Sequence, residues 1–117
     1  MSDPRLSELT RLLTKFVDDR DWKQFHNPKD MAISLVLEAA EVLELTQWKN
    51  GRQLEAHLRR NKEALADELS DVLFWVLEMA HQLQIDLGQA FVQKLKKNAE
   101  KYPVAKARGK STKYTEL

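Results

Sequence analysis

Two pairs of acidic residues, each spaced three apart, stand in the most apolar stretches of this sequence. Glu38 and Glu41 lie in the stretch SLVLEAAEVLELTQW, and Glu68 and Asp71 lie in ALADELSDVLFWV. Residues three apart share a face of an α-helix, so each pair would project side by side from a helix. Because unpaired carboxylates are costly to bury among apolar side chains, this pattern requires a cation.

A magnesium ion meets this requirement, since Mg²⁺ prefers carboxylate oxygens and usually keeps water and substrate phosphates as its other ligands. The alternative is a set of ion pairs with lysine or arginine, or a solvated acidic face, which is usual for an isolated ExxE pair. The neighbours of Glu38 favour the metal site, because they leave this helix no other polar side; they are Leu35, Leu37, Val42 and Leu45.

A di-iron centre is a second alternative, because Glu78 and His81 form the ExxH pattern of ferritin-like bundles. That architecture needs two ExxH helices, and neither His26 nor His57 stands in such a motif. Non-haem iron is therefore not expected. We predict His81 to be a partly exposed residue near a helix end and His57 to lie on the surface.

Helical periodicity predicts four main helices that would position the acidic pairs. Their ranges are residues 3–19, 28–48 (or 49), 61–83 and 87–102, with a weaker helical pattern at 52–60. Asp3-Pro4, Asn27-Pro28 and the Asp86–Gln89 segment carry helix-start signals. The expected fold is an all-α, four-helix-bundle-like domain over residues 1–103, followed by an extended or mobile tail at 104–117.

The composition excludes several function classes. The 117 residues suit one domain, and no apolar run is long enough for a membrane span. A formal charge of +1 argues against a general nucleic-acid binder. The absence of cysteine excludes thiol catalysis and thiolate metal sites, and it is consistent with a cytoplasmic protein.

The sequence resembles the MazG-like all-α nucleoside triphosphate pyrophosphatases, and within them the dCTP pyrophosphatase branch. The family pattern EExxE followed by ExxD stands here as Leu37-Glu38-x-x-Glu41 and Glu68-x-x-Asp71. Leu37 replaces the first glutamate, as the dCTP branch tolerates. The segments DWKQFHNP, QWK, KxxKN with the following Tyr-Pro, and the C-terminal ARGKSTKYTEL also match, so the likeness covers nearly the whole chain.

The resemblance implies hydrolysis of a (deoxy)nucleoside triphosphate between the α and β phosphates, which yields a monophosphate and pyrophosphate. It implies that the four carboxylates are catalytic and bind Mg²⁺. It also implies substrate contacts from Trp22, Lys23, Gln24, Phe25, His26, Trp48, Trp75, Lys94 and Asn98. Trp75 stands where the branch often has tyrosine, and Leu13 where relatives can place a histidine; both departures concern the preferred base and not the chemistry.

The aromatic residues of these segments are candidates for stacking on a base. The candidates are Trp22, Phe25, Trp48 and Trp75, whereas Phe16, Phe74 and Phe91 are expected in the core. One stripe of the last helix carries Lys94, Lys97, Asn98 and Lys101. This stripe would either contact the outer phosphates or remain a solvated basic surface.

The second predicted helix is too apolar for one chain to cover, which predicts a homo-oligomer with the site near the subunit interface. Relatives form dimers or tetramers, which agrees. The expected function is removal of dCTP-like nucleotides from the nucleotide pool. The alternatives are a pyrophosphatase for dUTP or a modified pyrimidine triphosphate, and a non-catalytic helical interaction module.

Overall fold

The chain folds into helices joined by short connections. A computed structural model describes residues 5–117 and contains no β-strand within them, which confirms the all-α prediction. The α-helices are α1 (Leu6–Asp19), α2 (Pro28–Glu44), α3 (Gly51–Arg60), α4 (Lys62–Gln82), α5 (Leu87–Lys101) and α6 (Val104–Ala107). Two 3₁₀ segments are Lys23–Phe25 and Tyr114–Glu116.

Two helix starts form the caps that the sequence predicts. The Asn27 side chain accepts a hydrogen bond of 2.9 Å from the backbone N–H of Asp30, and Pro28 occupies the first turn of α2. The Asp86 carboxylate likewise accepts from the backbone N–H of Gln89 at 3.1 Å and opens α5. Each cap satisfies a backbone donor that has no partner within its helix. The predicted start at Asp3-Pro4 lies outside the described residues.

The second helix is shorter than predicted, since it ends at Glu44 and not at Trp48. The Thr46 hydroxyl donates to the Leu43 carbonyl at 2.7 Å, a local bond that competes with continued helix. Trp48 has φ +67°, a left-handed conformation that a helix cannot include. Gly51, which also has positive φ, begins α3.

Helix α4 is the centre of the first of two compact units, the one that ends at Gln84. It packs mainly against α2, and also against α1 and α3. The apolar side chains buried in this packing are Leu13, Val17, Met31, Leu77 and Ala80.

The second compact unit runs from Ile85 to Leu117 and holds α5 and α6. The tail was expected to be extended or mobile, and this was wrong for the segments that form α6 and the second 3₁₀ turn. The Tyr114 ring packs edge-on against Tyr102 with centroids 5.8 Å apart, and the Lys101 ammonium lies 4.8 Å from its centroid. These contacts fold the tail back on the end of α5.

Much apolar surface of the first unit remains exposed. Met31 is the buried residue of α2, so most of this apolar helix is not covered within the chain. Leu69 and Leu73 on α4 are exposed as well, and so is Phe16, which was expected in the core. Phe91 was also expected in the core and is exposed on α5, in the second unit. The principal reason in α2 is that α4 covers one side of it. We call the exposed apolar row on the other side the α2 stripe: Ile33, Val36, Leu37, Ala40 and Leu43.

Within residues 5–117, none of the helices combines the length and the apolar character needed to cross a bilayer.

Candidate active site

Four carboxylates from α2 and α4 converge on one point. Glu38 and Glu41 project from α2, and Glu68 and Asp71 project from α4, with one oxygen of each lying within 4.8 Å of the others. The three-residue spacing places each pair on one helix face, and the packing of α2 against α4 brings the two faces together. We call this group the acidic cluster.

The pKa values of Glu68 and Glu38 in the acidic cluster are both raised. A hydrogen bond with Glu41, followed by burial and by the charges of its neighbours, raises the pKa of Glu68 from 4.5 to about 7. Burial, followed by the hydrogen bond and charge of Glu41, raises the pKa of Glu38. Like charges at such distances disfavour the ionised form. The cluster is therefore adapted to holding positive charge.

The donor set fits a divalent cation. Glu38 and Glu68 are half-buried, and each has one buried carboxylate oxygen with no hydrogen-bond partner. Across residues 5–117, no lysine or arginine nitrogen lies within 4.0 Å of any of the four carboxylates. The alternative in which basic side chains neutralise these acids is therefore not seen there. Unpaired oxygens on two rigid helices can bind a hard metal ion.

An aromatic cluster links α1, α4 and the segment after α1. The His26 ring lies edge-on to Trp75 at 5.0 Å, and Trp75 lies 4.9 Å from Phe74. Phe16 contacts both Phe74, at 6.1 Å, and Trp22, at 5.7 Å. Phe16 and Phe74 are thus members of this aromatic cluster and not residues of a separate core. Trp75 follows Asp71 by four residues, which places the aromatic and acidic clusters on one side of α4.

Other predicted contact residues are placed differently. Trp48 is 88% exposed and, like the exposed Phe25, makes none of the ring contacts found in residues 5–117. The Gln24 amide donates to both the carbonyl and the carboxylate of Asp21 at 3.0 Å, which stabilises the turn after α1. Lys23 is exposed beside it.

Two predicted contacts lie on α5, in the second compact unit. Lys94 is exposed and Asn98 is half-buried, and they lie one helical turn apart. Lys97 and Lys101 are exposed on the same helix. A role for any of them in phosphate binding stays a prediction.

The sequence reasoning missed the environment of Glu78. The ExxH pattern does not assemble, since His81 is exposed at the end of α4 while Glu78 is 1% exposed. The Glu78 carboxylate instead accepts a hydrogen bond of 2.8 Å from the Gln82 amide and lies 3.4 Å from Nδ1 of His26. A signal was available, because Glu78 follows Asp71 by seven residues and so falls on the same helix face.

The burial of His57 also differs from the prediction, which placed this residue on the surface. His57 is half-buried, and its ring nitrogen Nδ1 lies 3.3 Å from the Asn61 amide. This contact joins the end of α3 to the start of α4.

Comparison with known proteins identifies the family. The MazG-like family model matches residues 33–117, which include the acidic cluster. The chain belongs to the MazG-like family. Among solved structures, a pyrophosphatase from Archaeoglobus fulgidus has a TM-score of 0.80 and 35% sequence identity, over 88% of this chain and 96% of that one.

Two curated relatives are similar to the chain over nearly its whole length. The dCTP pyrophosphatase 1 of Mus musculus is 39% identical over 98% of this chain and 69% of its own length. The protein of the same name from Bos taurus is 40% identical over 99% of this chain and 70% of its own. The predicted family resemblance is therefore confirmed.

Proposed function

We propose that this protein is a Mg²⁺-dependent pyrophosphohydrolase that cleaves dCTP or a closely related triphosphate between its α and β phosphates. The observation that carries the proposal is the convergence of four carboxylates, one oxygen each within 4.8 Å, on the side of α4 that also carries Trp75 of the aromatic cluster. The proposal is supported by the match of the chain to the MazG-like family, and by its 39% identity to a dCTP pyrophosphatase. Such an enzyme would remove dCTP-like nucleotides from the nucleotide pool.

In this proposal the acidic cluster holds Mg²⁺ through Glu38, Glu41, Glu68 and Asp71. Bound Mg²⁺ supplies positive charge to the triphosphate, which stabilises the charge that develops on the leaving pyrophosphate. Two of the carboxylates, Glu41 and Asp71, are exposed to solvent. A cluster carboxylate with an oxygen left free accepts the proton of the attacking water, and all four remain candidates for this base.

The aromatic cluster binds the base. A flat ring stacks on any base, and stacking contributes about 1–3 kcal/mol per base without selecting its identity. Trp22, His26 and Trp75 are the members of the predicted substrate set that the fold brings together. Selection among bases must therefore come from hydrogen bonds, for which His26 is the member with a ring nitrogen that can accept as well as one that can donate.

A panel of triphosphates tests the reaction and its substrate. With Mg²⁺ and dCTP, we expect release of dCMP and pyrophosphate in equal amounts, with no inorganic phosphate. We expect kcat/KM for dCTP to exceed that for dUTP, dATP and dGTP. Release of phosphate would contradict the α–β cleavage, and lack of turnover with every nucleotide would favour the non-catalytic helical module. A larger kcat/KM for dUTP or a modified pyrimidine triphosphate would reassign the substrate within the same chemistry.

The raised pKa of Glu68 predicts how metal stabilisation depends on pH. A carboxyl group with a raised folded-state pKa stabilises the fold while it is protonated. This contribution is complete below 4.5 and is lost as the pH rises through about 7. Metal binding needs the ionised form and displaces the proton. We therefore expect Mg²⁺ to raise the melting temperature more at about pH 8 than at about pH 6, as measured by thermal unfolding.

Glu68→Gln provides the control for this pH dependence. Without metal, its melting temperature should vary less with pH over that interval than that of the wild type, and Mg²⁺ should give it little stabilisation. An equal effect of Mg²⁺ on the wild type at both pH values would contradict the role of Glu68 as a proton-linked ligand.

The oligomeric partner in this proposal is a second copy of the same chain. The α2 stripe is a continuous exposed apolar row on a helix that also supplies Glu38 and Glu41. Contiguous apolar patches of this kind mark interaction sites more often than free surface. Self-association through the stripe would place α2, which supplies Glu38 and Glu41, at the subunit interface.

A further inference from the structure

Glu78 is a buried carboxylate that the proposed chemistry does not use. It lies in α4, two turns beyond Asp71, and is 1% exposed. A buried charge requires partners, because desolvation disfavours the ionised form. Oxygen Oε1 of Glu78 accepts from the Gln82 amide at 2.8 Å, while Oε2 has no hydrogen bond. The polar atom placed to serve Oε2 is His26 Nδ1, at 3.4 Å, which also lacks a hydrogen bond.

This pairing has a consequence for the His26 ring. The imidazole side chain is 8% exposed and its ring lies against Trp75 in the aromatic cluster. A carboxylate is an acceptor only, so its contact with Nδ1 favours the proton on that nitrogen. In a neutral imidazole, a proton on Nδ1 leaves Nε2 as an acceptor. Glu78 thereby determines which hydrogen bond the other side of the ring can make.

We propose that Glu78 is a positioning residue that fixes His26 with Nε2 as an acceptor, and that this makes the site prefer a base bearing an exocyclic amino group. The inference rests on the proposed function. Cytosine presents an amino donor at the position where uracil and thymine present a carbonyl acceptor. With Nε2 as an acceptor, the ring can accept a hydrogen bond from the amino group of cytosine. Opposite uracil or thymine, Nε2 would face a carbonyl oxygen, and two acceptors form no hydrogen bond. A site of this kind rejects the wrong base strongly, because that base leaves buried polar atoms without a hydrogen bond.

The substitution Glu78→Gln tests this directly. Gln82 donates to Oε1, so the new amide would keep its oxygen toward Gln82 and turn its NH₂ group toward Nδ1. An amide donor at Nδ1 moves the ring proton to Nε2, which becomes a donor. We expect kcat/KM for dCTP to fall while that for dUTP falls less or rises, so that the dCTP-to-dUTP ratio drops at least about tenfold. An equal loss for both nucleotides, or no change in either, would overturn the proposal.

A double-mutant cycle separates positioning from a general structural role. If Glu78 acts through His26, then Glu78→Gln in a His26→Ala background should leave the dCTP-to-dUTP ratio of His26→Ala unchanged. A further fall in the ratio in that background would show that Glu78 acts by another route. Melting temperatures of the four proteins report loss of stability separately from the ratio.

A spectroscopic measurement needs neither a variant nor turnover. The imidazole nitrogen chemical shifts of His26 in the wild-type protein, measured by ¹⁵N NMR, should show that the neutral ring carries its proton on Nδ1 and not on Nε2. A neutral ring with its proton on Nε2 would contradict the inference. Failure of wild-type protein to hydrolyse any triphosphate would instead count against the proposed function, while the tautomer would still be decided by the spectrum.

Discussion

Glu38→Gln is expected to lower kcat/KM for dCTP by at least about a hundredfold. Glutamine keeps the size of the side chain and removes the charge of one of the four converging carboxylates. A divalent ion stabilises transition-state charge by several kcal/mol, and each loss of about 1.4 kcal/mol lowers the rate tenfold. Pyrophosphate release at a fixed Mg²⁺ concentration measures this loss, and Asp71→Asn should behave alike because it removes a charge from the facing helix.

Glu44→Gln is the matched control for Glu38→Gln. Glu44 continues the same three-residue spacing in α2, but it is exposed and does not belong to the acidic cluster. We expect its activity to equal that of the wild type. Glu38→Gln and Asp71→Asn should remain folded, but addition of Mg²⁺ should no longer raise their melting temperatures. Wild-type activity in Glu38→Gln, or an equal loss in Glu44→Gln, would contradict the assignment of the cluster as the metal site.

The double substitution Val36→Glu and Leu43→Lys is expected to convert an oligomer into single chains. These residues are 66% and 70% exposed and lie seven residues apart, on one side of α2. Charges in the middle of an apolar interface are left desolvated and unpaired, which strongly disfavours association. Light scattering should give a mass of at least two chains of 13.6 kDa for the wild type and about one chain mass for the variant. Activity should fall too if the second copy completes the site.

A control for this experiment changes an exposed apolar residue elsewhere. Val104 is 75% exposed in the short helix α6, outside the α2 stripe. Val104→Lys should leave the molar mass unchanged. A wild-type mass equal to one chain, or an unchanged mass in the double variant, would remove the α2 stripe as the interface.

The helices and the acidic cluster could be read from the sequence because their signals are local. The Asn27 and Asp86 caps depend on side chains three residues from the donors that they satisfy. The pairing of Glu38 with Glu41, and of Glu68 with Asp71, follows from helix geometry alone. Their convergence was also predictable, since acids in apolar helices must meet around a shared cation.

The end of the second helix was less predictable, because it depends on a close competition. Residues after Glu44 continue the apolar pattern, which predicts more helix. The structure instead has the hydroxyl bond of Thr46 to Leu43 and the left-handed Trp48. Local side-chain bonds and continued helix differ by about 1 kcal/mol in free energy, so pattern alone does not choose between them.

The sequence by itself determined the helical class, the family, and the identity and pairing of the four acidic residues, because each of these depends on residue type and short spacing. Only the tertiary structure decided that His26 meets Glu78, 52 positions apart in the chain, and that Phe16 joins Trp22 to Phe74. It also decided that the α2 stripe is left exposed. These outcomes depend on which helix faces meet when α1, α2 and α4 pack, and no spacing within one helix specifies the face of another.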